Sequence, residues 1–194
     1  MWSLLESIEN SGFVTWVREA NTIWAYTTVT ILHTFGLAAL VGLSSGIALR
    51  TLGFAPDLPL APMGKFFRIA WIGFRVNVIS GVILVALDAR AYFVNPAFYI
   101  KMLSVVVAAV GMRWLQTNVV GDPATRDTQP VQLKGRIVAG VMLASWAVAI
   151  TTGRLTAYDG FIRVESGIAV FIVLIVLLVA RQIIAPFFRR TDPT

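Results

Sequence analysis

The chain has 194 residues, of which 57% are hydrophobic and only 13% are charged, about half the charged fraction of an ordinary soluble domain. The absence of Cys excludes disulfides, thiolate zinc sites, iron–sulfur clusters and a Cys nucleophile, and the single His33 excludes bis-His haem and three-His zinc sites. The net charge is +6, but the basic residues are spread beside apolar runs, which favours membrane orientation over nucleic-acid binding.

The first 20 residues have no basic cluster and carry Glu6, Glu9 and Glu19, which argues against a cleaved secretory signal. Their apolar residues recur at approximately helical spacing around a Ser-Gly break. We therefore expect residues 1–20 to form a short helix that lies in the membrane interface. The alternative is a polar tail that packs on the rest of the chain.

Five apolar stretches follow, each meeting the requirement of roughly 20 residues for crossing the hydrocarbon core as a helix. They run over about 22–49, 69–88, 100–119, 137–156 and 165–185. The proline-rich segment 53–64 and the polar segment 120–136 are interpreted as loops. The sequence thus predicts an all-α, integral membrane bundle of five transmembrane helices that forms one domain over residues 1–194.

The distribution of Lys and Arg predicts the orientation of this bundle. If the N-terminus is outside, the inner side receives Arg50, Lys65, Arg68, Arg113, Arg126, Lys134, Arg136, Arg181, Arg189 and Arg190. The outer side receives only Arg18, Arg90, Lys101, Arg154 and Arg163. This asymmetry predicts an outer N-terminus and a cytoplasmic C-terminus.

Small residues at helical spacing predict the faces on which the helices pack in lipid. In the first span, Gly42 and Gly46 form a G-x-x-x-G pair, and His33 lies on the opposite side of the helix. In the second span the stripe is Gly73, Asn77, Ser80, Gly81, Leu84 and Asp88, and in the fourth it is Gly140, Ala144, Ala147, Thr151 and Arg154. The first helix is therefore expected to pack on two sides, at the centre of the bundle.

His33 is the strongest candidate for a functional group, because an ionisable residue inside a span is a functional hypothesis by default. It could ligate haem b opposite Met102, Met112 or Met142, ligate a metal ion, or accept a proton. The alternative is a neutral imidazole that fixes the packing through a hydrogen bond to Thr30 or to a neighbouring helix.

Arg75 and Arg113 each lie about six residues, or about 9 Å, from the inner end of their spans. Two cations at a similar depth could hold an anionic lipid or substrate. Snorkelling of each long side chain to the headgroups is the simpler interpretation.

Charged and aromatic residues collect at the predicted outer ends of the spans. Asp88, Lys101, Arg154 and Tyr158 are the members that could form a docking surface for a periplasmic or membrane protein. Salt bridges that fix the short loops are the alternative.

Four segments together resemble an uncharacterised family of small bacterial inner-membrane proteins, known as a domain of unknown function. They are LHTFGLAALVG at 32–42, ALRTLG at 48–53, NPAFYIKML at 95–103 and ASWAVAITTGRLTAY at 144–158. The resemblance covers most of the chain and singles out His33, Gly36, Arg50, Asn95, Pro96, Phe98, Lys101, Trp146, Gly153 and Arg154. At Ala48 the family pattern has an acidic residue, which leaves an ion-pair role for Arg50 in doubt. The resemblance implies a polytopic fold in the bacterial inner membrane and implies no reaction.

These patterns leave three functional hypotheses. The first is a non-enzymatic anchor or accessory subunit for a periplasmic or membrane partner, and the second is a haem- or quinone-linked electron-transfer subunit that uses His33. The third is a transporter of a small solute or metal along Tyr26, Thr30, His33 and Asn77. Motifs of hydrolases and nucleotide-binding enzymes do not occur in the sequence, which disfavours an enzyme.

Overall fold

The computed structural model describes residues 2–20, 22, 24–54, 56–121 and 131–155, in which all regular secondary structure is helical. In chain order the helices are α1 (Trp2–Glu9), α2 (Gly12–Glu19), α3 (Tyr26–Leu52), α4 (Leu60–Ala86), α5 (Ala89–Val94), α6 (Pro96–Asn118) and α7 (Leu133–Leu155). The helices α3, α4, α6 and α7 are long and apolar enough to cross a membrane, which indicates a multi-pass membrane protein. The fifth predicted span, 165–185, lies outside the described residues.

The N-terminal segment folds as two short helices where the sequence predicted one. The helical conformation is interrupted at Asn10 and Ser11, and Ser11 takes an extended conformation at the N-cap of α2. Leu5 and Glu9 of α1 and Val14 and Val17 of α2 are buried. The inward-facing apolar residues continue on both sides of the break, which is why the pattern resembles a single helix.

The helix α4 begins at Leu60, well before the predicted start at 69, so the loop between the first two spans is shorter than expected. Pro62 lies in the first turn of α4, where a backbone N–H has no partner within the helix and a proline is therefore tolerated. Before this loop, α3 ends at Gly53, whose φ of 98° is left-handed. The N–H of Gly53 bonds Arg50 O and that of Phe54 bonds Leu49 O, at 3.0 Å each, which is the Schellman ending that favours glycine.

The start of α6 explains the Asn-Pro pair at 95–96. The side chain of Asn95 accepts a hydrogen bond from the backbone N–H of Ala97 at 3.1 Å. Pro96 follows at the first helical position, where its ring presets the helical φ. The short helix α5, which the sequence analysis did not predict, leads into this cap.

The four long helices form two antiparallel hairpins, α3–α4 and α6–α7, which meet mainly through α3 and α7. A buried apolar cluster spans both hairpins and includes Leu40, Ile47, Phe67, Met112, Leu115, Met142 and Trp146. We call the end that carries Tyr26, Ala86, Pro96 and Leu155 the platform end, because α1, α2 and α5 lie there, and the opposite end the basic end. The contact of α3 with both α4 and α7 agrees with its predicted central position.

The closest approach between helices is at Gly36 of α3 and Gly73 of α4, and this changes one predicted contact face. A Cβ on Gly73 would lie 2.8 Å from Gly36 O, and a Cβ on Gly36 would lie 2.9 Å from Gly73 O. The predicted stripe of α4 from Gly73 to Gly81 is therefore a contact face. The G-x-x-x-G prediction was wrong, because Gly42 and Gly46 are exposed and have no described atom within 4 Å of a built Cβ.

The predicted stripe of the fourth span was also wrong. The buried residues of α7 are Gly135, Ala139, Met142, Trp146 and Ala149, while Ala144 and Arg154 of the predicted stripe are exposed. The reason is that α7 carries small residues on two faces, and on the buried face Gly135, Ala139 and Ala149 lie between the large side chains of Met142 and Trp146.

Candidate functional site

His33 lies between α3 and α4 and bonds two residues of α4. Its Nδ1 is 3.1 Å from the backbone oxygen of Asn77 and 3.0 Å from Oγ of Ser80. The side-chain amide of Asn77 returns a bond to the backbone oxygen of His33 at 3.0 Å. We call His33, Asn77 and Ser80 the polar clamp, because their hydrogen bonds tie the two helices together inside the membrane-spanning region.

The polar clamp fixes which imidazole nitrogen carries the proton. A carbonyl oxygen can only accept, so Nδ1 donates to Asn77 O and Nε2 keeps its lone pair. Oγ of Ser80 itself donates to Val76 O at 2.7 Å and can therefore accept from His33. The amide nitrogen of Asn77 is 3.5 Å from Nε2, at the limit of a hydrogen bond.

The imidazole is packed closely against α4. A Cβ on Gly81 would lie 3.2 Å from Cε1 of His33, so the absence of a side chain there makes room for the ring. Thr30, the predicted partner of His33 on its own helix, instead donates to Tyr26 O at 3.0 Å. Of the predicted ligand-binding residues on this face, Asn77 is bonded to His33, whereas Thr30 and Tyr26 form no described hydrogen bond with it.

The methionines proposed opposite His33 lie at other depths or face outward. His33 is seven residues from the platform end of α3, or about 10 Å, while Met112 is about 24 Å along α6 and Met142 about 20 Å along α7 from the same end. Both belong to the buried apolar cluster. Met102 is at a depth similar to that of His33 but is 38% exposed. Within the described residues, no group of three His, Cys, Asp or Glu could hold a metal ion.

Lys101 lies inside the bundle rather than on the predicted docking surface. Its aliphatic chain covers Gly153 of α7, where a built Cβ would be 3.4 Å from Cε and 3.5 Å from Cδ. The side chain is partly buried. The structure therefore packs Lys101 against α7.

A second polar site holds α1 and α2 against α5 at the platform end. The carboxylate of Glu9 accepts from the backbone N–H and from Nε of Arg90, at 2.7 Å each. Arg18 donates to the backbone oxygens of Leu87 at 2.6 Å and Glu9 at 3.2 Å. The backbone N–H of Arg90, with the bond and charge of its guanidinium, holds the pKa of Glu9 below its usual value of 4.5 against the opposing effect of burial.

Two predicted docking residues, Asp88 and Arg154, are exposed at the platform end. Neither side chain forms an ion pair within the described part of the chain, where the loop is fixed by Glu9 and Arg90 instead. Burial raises the pKa of the neighbouring Tyr92, and the charge of Asp88 adds to this effect. The remaining predicted docking residue, Tyr158, lies outside the described residues.

Arg75 on α4 and Arg113 on α6 are both exposed. Because α4 begins at Leu60, Arg75 is 15 residues, or about 22 Å, from the basic end of its helix, whereas Arg113 is five residues, or about 8 Å, from that of α6. The predicted depth therefore holds for Arg113 and was wrong for Arg75. Arg113 donates to Oε1 of Gln116 at 3.2 Å, and the same oxygen accepts from Nε1 of Trp71 at 2.9 Å. Arg75 donates to the backbone oxygen of Trp71 at 3.4 Å. The two predicted cations are thus connected through one pair of residues that bridges α4 and α6.

Comparisons with protein-family models, curated proteins and solved structures gave no significant match. The resemblance drawn from the sequence therefore stays a prediction. Several of its motif residues have structural contacts of their own: Arg50 donates to Leu58 O across the loop, and Gly36 permits the close approach of α3 and α4. Ala48, where the family pattern is acidic, is fully buried in the apolar cluster, so a carboxylate there would lack water.

Sequence reasoning missed the contacts of Glu9, Arg18 and Arg90. Glu9 interrupts an apolar face, which is a signal for a buried partner, but nothing in the sequence indicates that the partner is 81 residues away. It also missed that Trp146, only 2% exposed, has no hydrogen-bond partner for its indole N–H among the described residues. A buried donor without a partner is uncommon, and only the structure can identify one.

Proposed function

We propose that this protein is a non-enzymatic membrane anchor or accessory subunit that binds a periplasmic or membrane protein through its platform end. The observation that carries the proposal is the difference between the polar residues at two places. Inside the bundle, the polar clamp is already bonded between α3 and α4. At the platform end, Asp88 and Arg154 are exposed and form no ion pair with other described residues.

The platform itself supports this proposal because it is a folded surface. Glu9, Arg18 and Arg90 fix α1 and α2 on α5. The N-terminal pair exposes Trp2, Leu4, Ile8, Phe13 and Trp16, an arrangement typical of a segment that lies in the headgroup layer. We place this apolar surface in the membrane interface and the charged residues Asp88 and Arg154 toward the partner.

We further propose that the protein lies in the bacterial inner membrane with five spans, its platform end outside and its C-terminus in the cytoplasm. The charge pattern supports this orientation, because cytoplasmic ends of spans are rich in Lys and Arg. Among described residues the basic end carries Arg50, Lys65, Arg68, Arg113, Lys134 and Arg136, with Asp57 as its acidic residue. Since the chain has no Cys, single introduced cysteines at Asp88 and Lys65 can report which end a membrane-impermeant thiol reagent reaches first.

Site-specific photocrosslinking in native membranes tests the proposed partner surface. We expect a photoreactive amino acid at Asp88 or Arg154 to give a discrete crosslinked species, and the same group at Arg136 of the basic end to give none of that size. Charge reversal with Asp88→Lys and Arg154→Glu together should remove the species. Crosslinks that are equally strong from Arg136, or that survive the charge reversal, would contradict the proposal.

A second candidate is a haem-linked electron-transfer subunit, and one observation favours it. An Nδ1–H bonded to a backbone carbonyl, as in His33 and Asn77, is the arrangement that orients a metal-ligating imidazole with Nε2 free. The close contact of the ring with Gly81 counts against a porphyrin between α3 and α4. A Soret band in purified protein that disappears in His33→Ala would favour this candidate over the anchor.

A further inference from the structure

A hydrogen bond from Nε1 of Trp71 to Oε1 of Gln116 joins α4 to the part of α6 near the basic end. Arg75 and Arg113 flank this hydrogen bond, since one bonds the backbone oxygen of Trp71 and the other bonds Oε1 of Gln116. Trp71 is held in place by an edge-to-face contact with Phe74, with ring centroids 5.4 Å apart. Two guanidiniums on different helices are thus positioned by one shared network.

Every free polar group that this network presents is a hydrogen-bond donor. Oε1 of Gln116 accepts from two donors, which fixes the amide so that its NH₂ faces away from them. Each guanidinium uses one of its five N–H donors in the described bonds. The one ion pair among described residues is that of Glu9 and Arg90, at the other end of the bundle. A complementary ligand must therefore be an anion with several acceptor oxygens.

The surroundings of the two cations are apolar and face outward. On α6, the residues three, seven and ten positions before Arg113 form one exposed stripe that leads toward the platform end. On α4, the residues four and seven positions after Arg75 form another that leads the same way. The exposed residues of the two stripes are Leu103, Val106 and Val110 on α6 and Ile79 and Val82 on α4, each at least 58% exposed.

We propose that Arg75 and Arg113 bind the phosphate of an anionic phospholipid, with its acyl chains along the exposed stripes of α4 and α6. Planar guanidiniums match phosphate oxygens in paired hydrogen bonds, and basic pockets between transmembrane helices are typical lipid headgroup sites. Independent snorkelling would let the two side chains extend separately, but Arg75 and Arg113 are bonded to Trp71 and Gln116, which are bonded to each other. A soluble phosphate has no acyl chains and would therefore leave the two apolar stripes without a contact. This site is independent of the proposed partner surface.

Native mass spectrometry of the full chain in detergent tests the site with three probes: cardiolipin, phosphatidylglycerol and phosphatidylcholine. We expect the wild type to retain the two anionic lipids and not phosphatidylcholine. Arg75→Gln and Arg113→Gln should each lower the affinity for the anionic lipids by about tenfold or more, because each removes charge-assisted bonds to the phosphate. Arg136→Gln is the matched control, since it removes the same charge from an exposed position of α7 at the same end; it should change the affinity by less than about twofold.

Gln116→Leu keeps both charges but releases Arg113, and we expect it to lower lipid affinity several-fold. This variant keeps the test decisive if an arginine variant fails to fold. Equal retention of phosphatidylcholine, or an equal loss in Arg136→Gln, would overturn the proposal in favour of a diffuse charge effect. Displacement of bound lipid by millimolar inorganic phosphate would overturn it in favour of a site for soluble phosphate.

Discussion

The two helical hairpins are held together in different ways. In α3–α4 the backbones touch at Gly36 and Gly73, and the polar clamp adds hydrogen bonds between the helices. In α6–α7 the contact is made by side chains, since the nearest atoms to a Cβ built on Gly111 are those of Met142, at 3.2 Å and 3.5 Å. The hydrophobic effect does not drive association between helices in lipid. The first hairpin therefore depends on the close approach of its backbones and on hydrogen bonds, and the second on the complementary shapes of its packed side chains.

The largest effect on stability is expected from a substitution that breaks the backbone contact between α3 and α4. Gly73→Ala places a Cβ 2.8 Å from Gly36 O, where backbone must move, and we expect a loss of about 3 kcal/mol or more in the free energy of unfolding. Denaturation in mixed detergent micelles measures it. Gly42→Ala is the control, expected within about 0.5 kcal/mol of wild type, because no described atom lies near its Cβ. Equal losses in both variants would contradict the assignment of the contact face.

An intermediate effect is expected when one member of the polar clamp is replaced. His33→Gln keeps a side chain that can donate to Asn77 O, so its free energy of unfolding should stay within about 1–2 kcal/mol of wild type. The same unfolding assay measures this. Complete loss of folded protein in His33→Gln would mean that the imidazole has a further role that an amide cannot replace.

A smaller, pH-dependent effect is expected at the platform end, where α1 is bonded to α5, the short helix between the two hairpins. The pKa of Glu9 is lowered in the folded state from 4.5, so its stabilising contribution is present above that pH and is lost as the pH falls through the folded pKa. A spin label on a cysteine introduced at exposed Ser3 should become more mobile in this acidic range. Glu9→Gln should be mobile throughout, and Glu6→Gln should behave as wild type; a Glu9→Gln trace that still changes with pH would contradict the assignment.

The smallest expected effect concerns the side-chain contact of α6–α7. Trp146→Phe removes an indole N–H that has no partner in the described part of the chain, and this gain offsets the small cavity left by the smaller ring. We expect a free energy of unfolding within about 1 kcal/mol of wild type, while Trp146→Ala should lose about 3–5 kcal/mol. A loss of several kcal/mol in Trp146→Phe would show that the N–H does have a partner.

The comparison of the hairpins also explains how far the sequence could predict the molecule. Hydropathy depends only on residues that are neighbours in the sequence. The sequence alone could therefore predict the four long apolar helices that the structure describes. The stripe of α4 was predicted because its small residues do contact α3, whereas α7 carries small residues on two faces, and the sequence alone does not indicate which of the two is buried.

At the candidate sites, the sequence identified His33, Asn77, Arg75 and Arg113 by residue type, but it misjudged the depth of Arg75 because α4 begins nine residues earlier than predicted. It could not pair them with their partners, because those bonds join residues more than 40 positions apart or depend on Trp71 and Gln116. The same limit applies to Lys101. Its charge predicted a position on the surface, whereas in the structure its aliphatic side chain covers Gly153.

The central claim is that the polar residues of the first hairpin serve to join its helices. A double-mutant cycle with His33→Ala, Ser80→Ala and the double variant tests it, with the free energy of unfolding in mixed micelles as readout. Bonds between membrane helices average about 0.6 kcal/mol, and one bond between side chains joins Nδ1 of His33 to Oγ of Ser80 at 3.0 Å, so we predict a favourable coupling of about 0.6 kcal/mol. Strictly additive losses would contradict the claim.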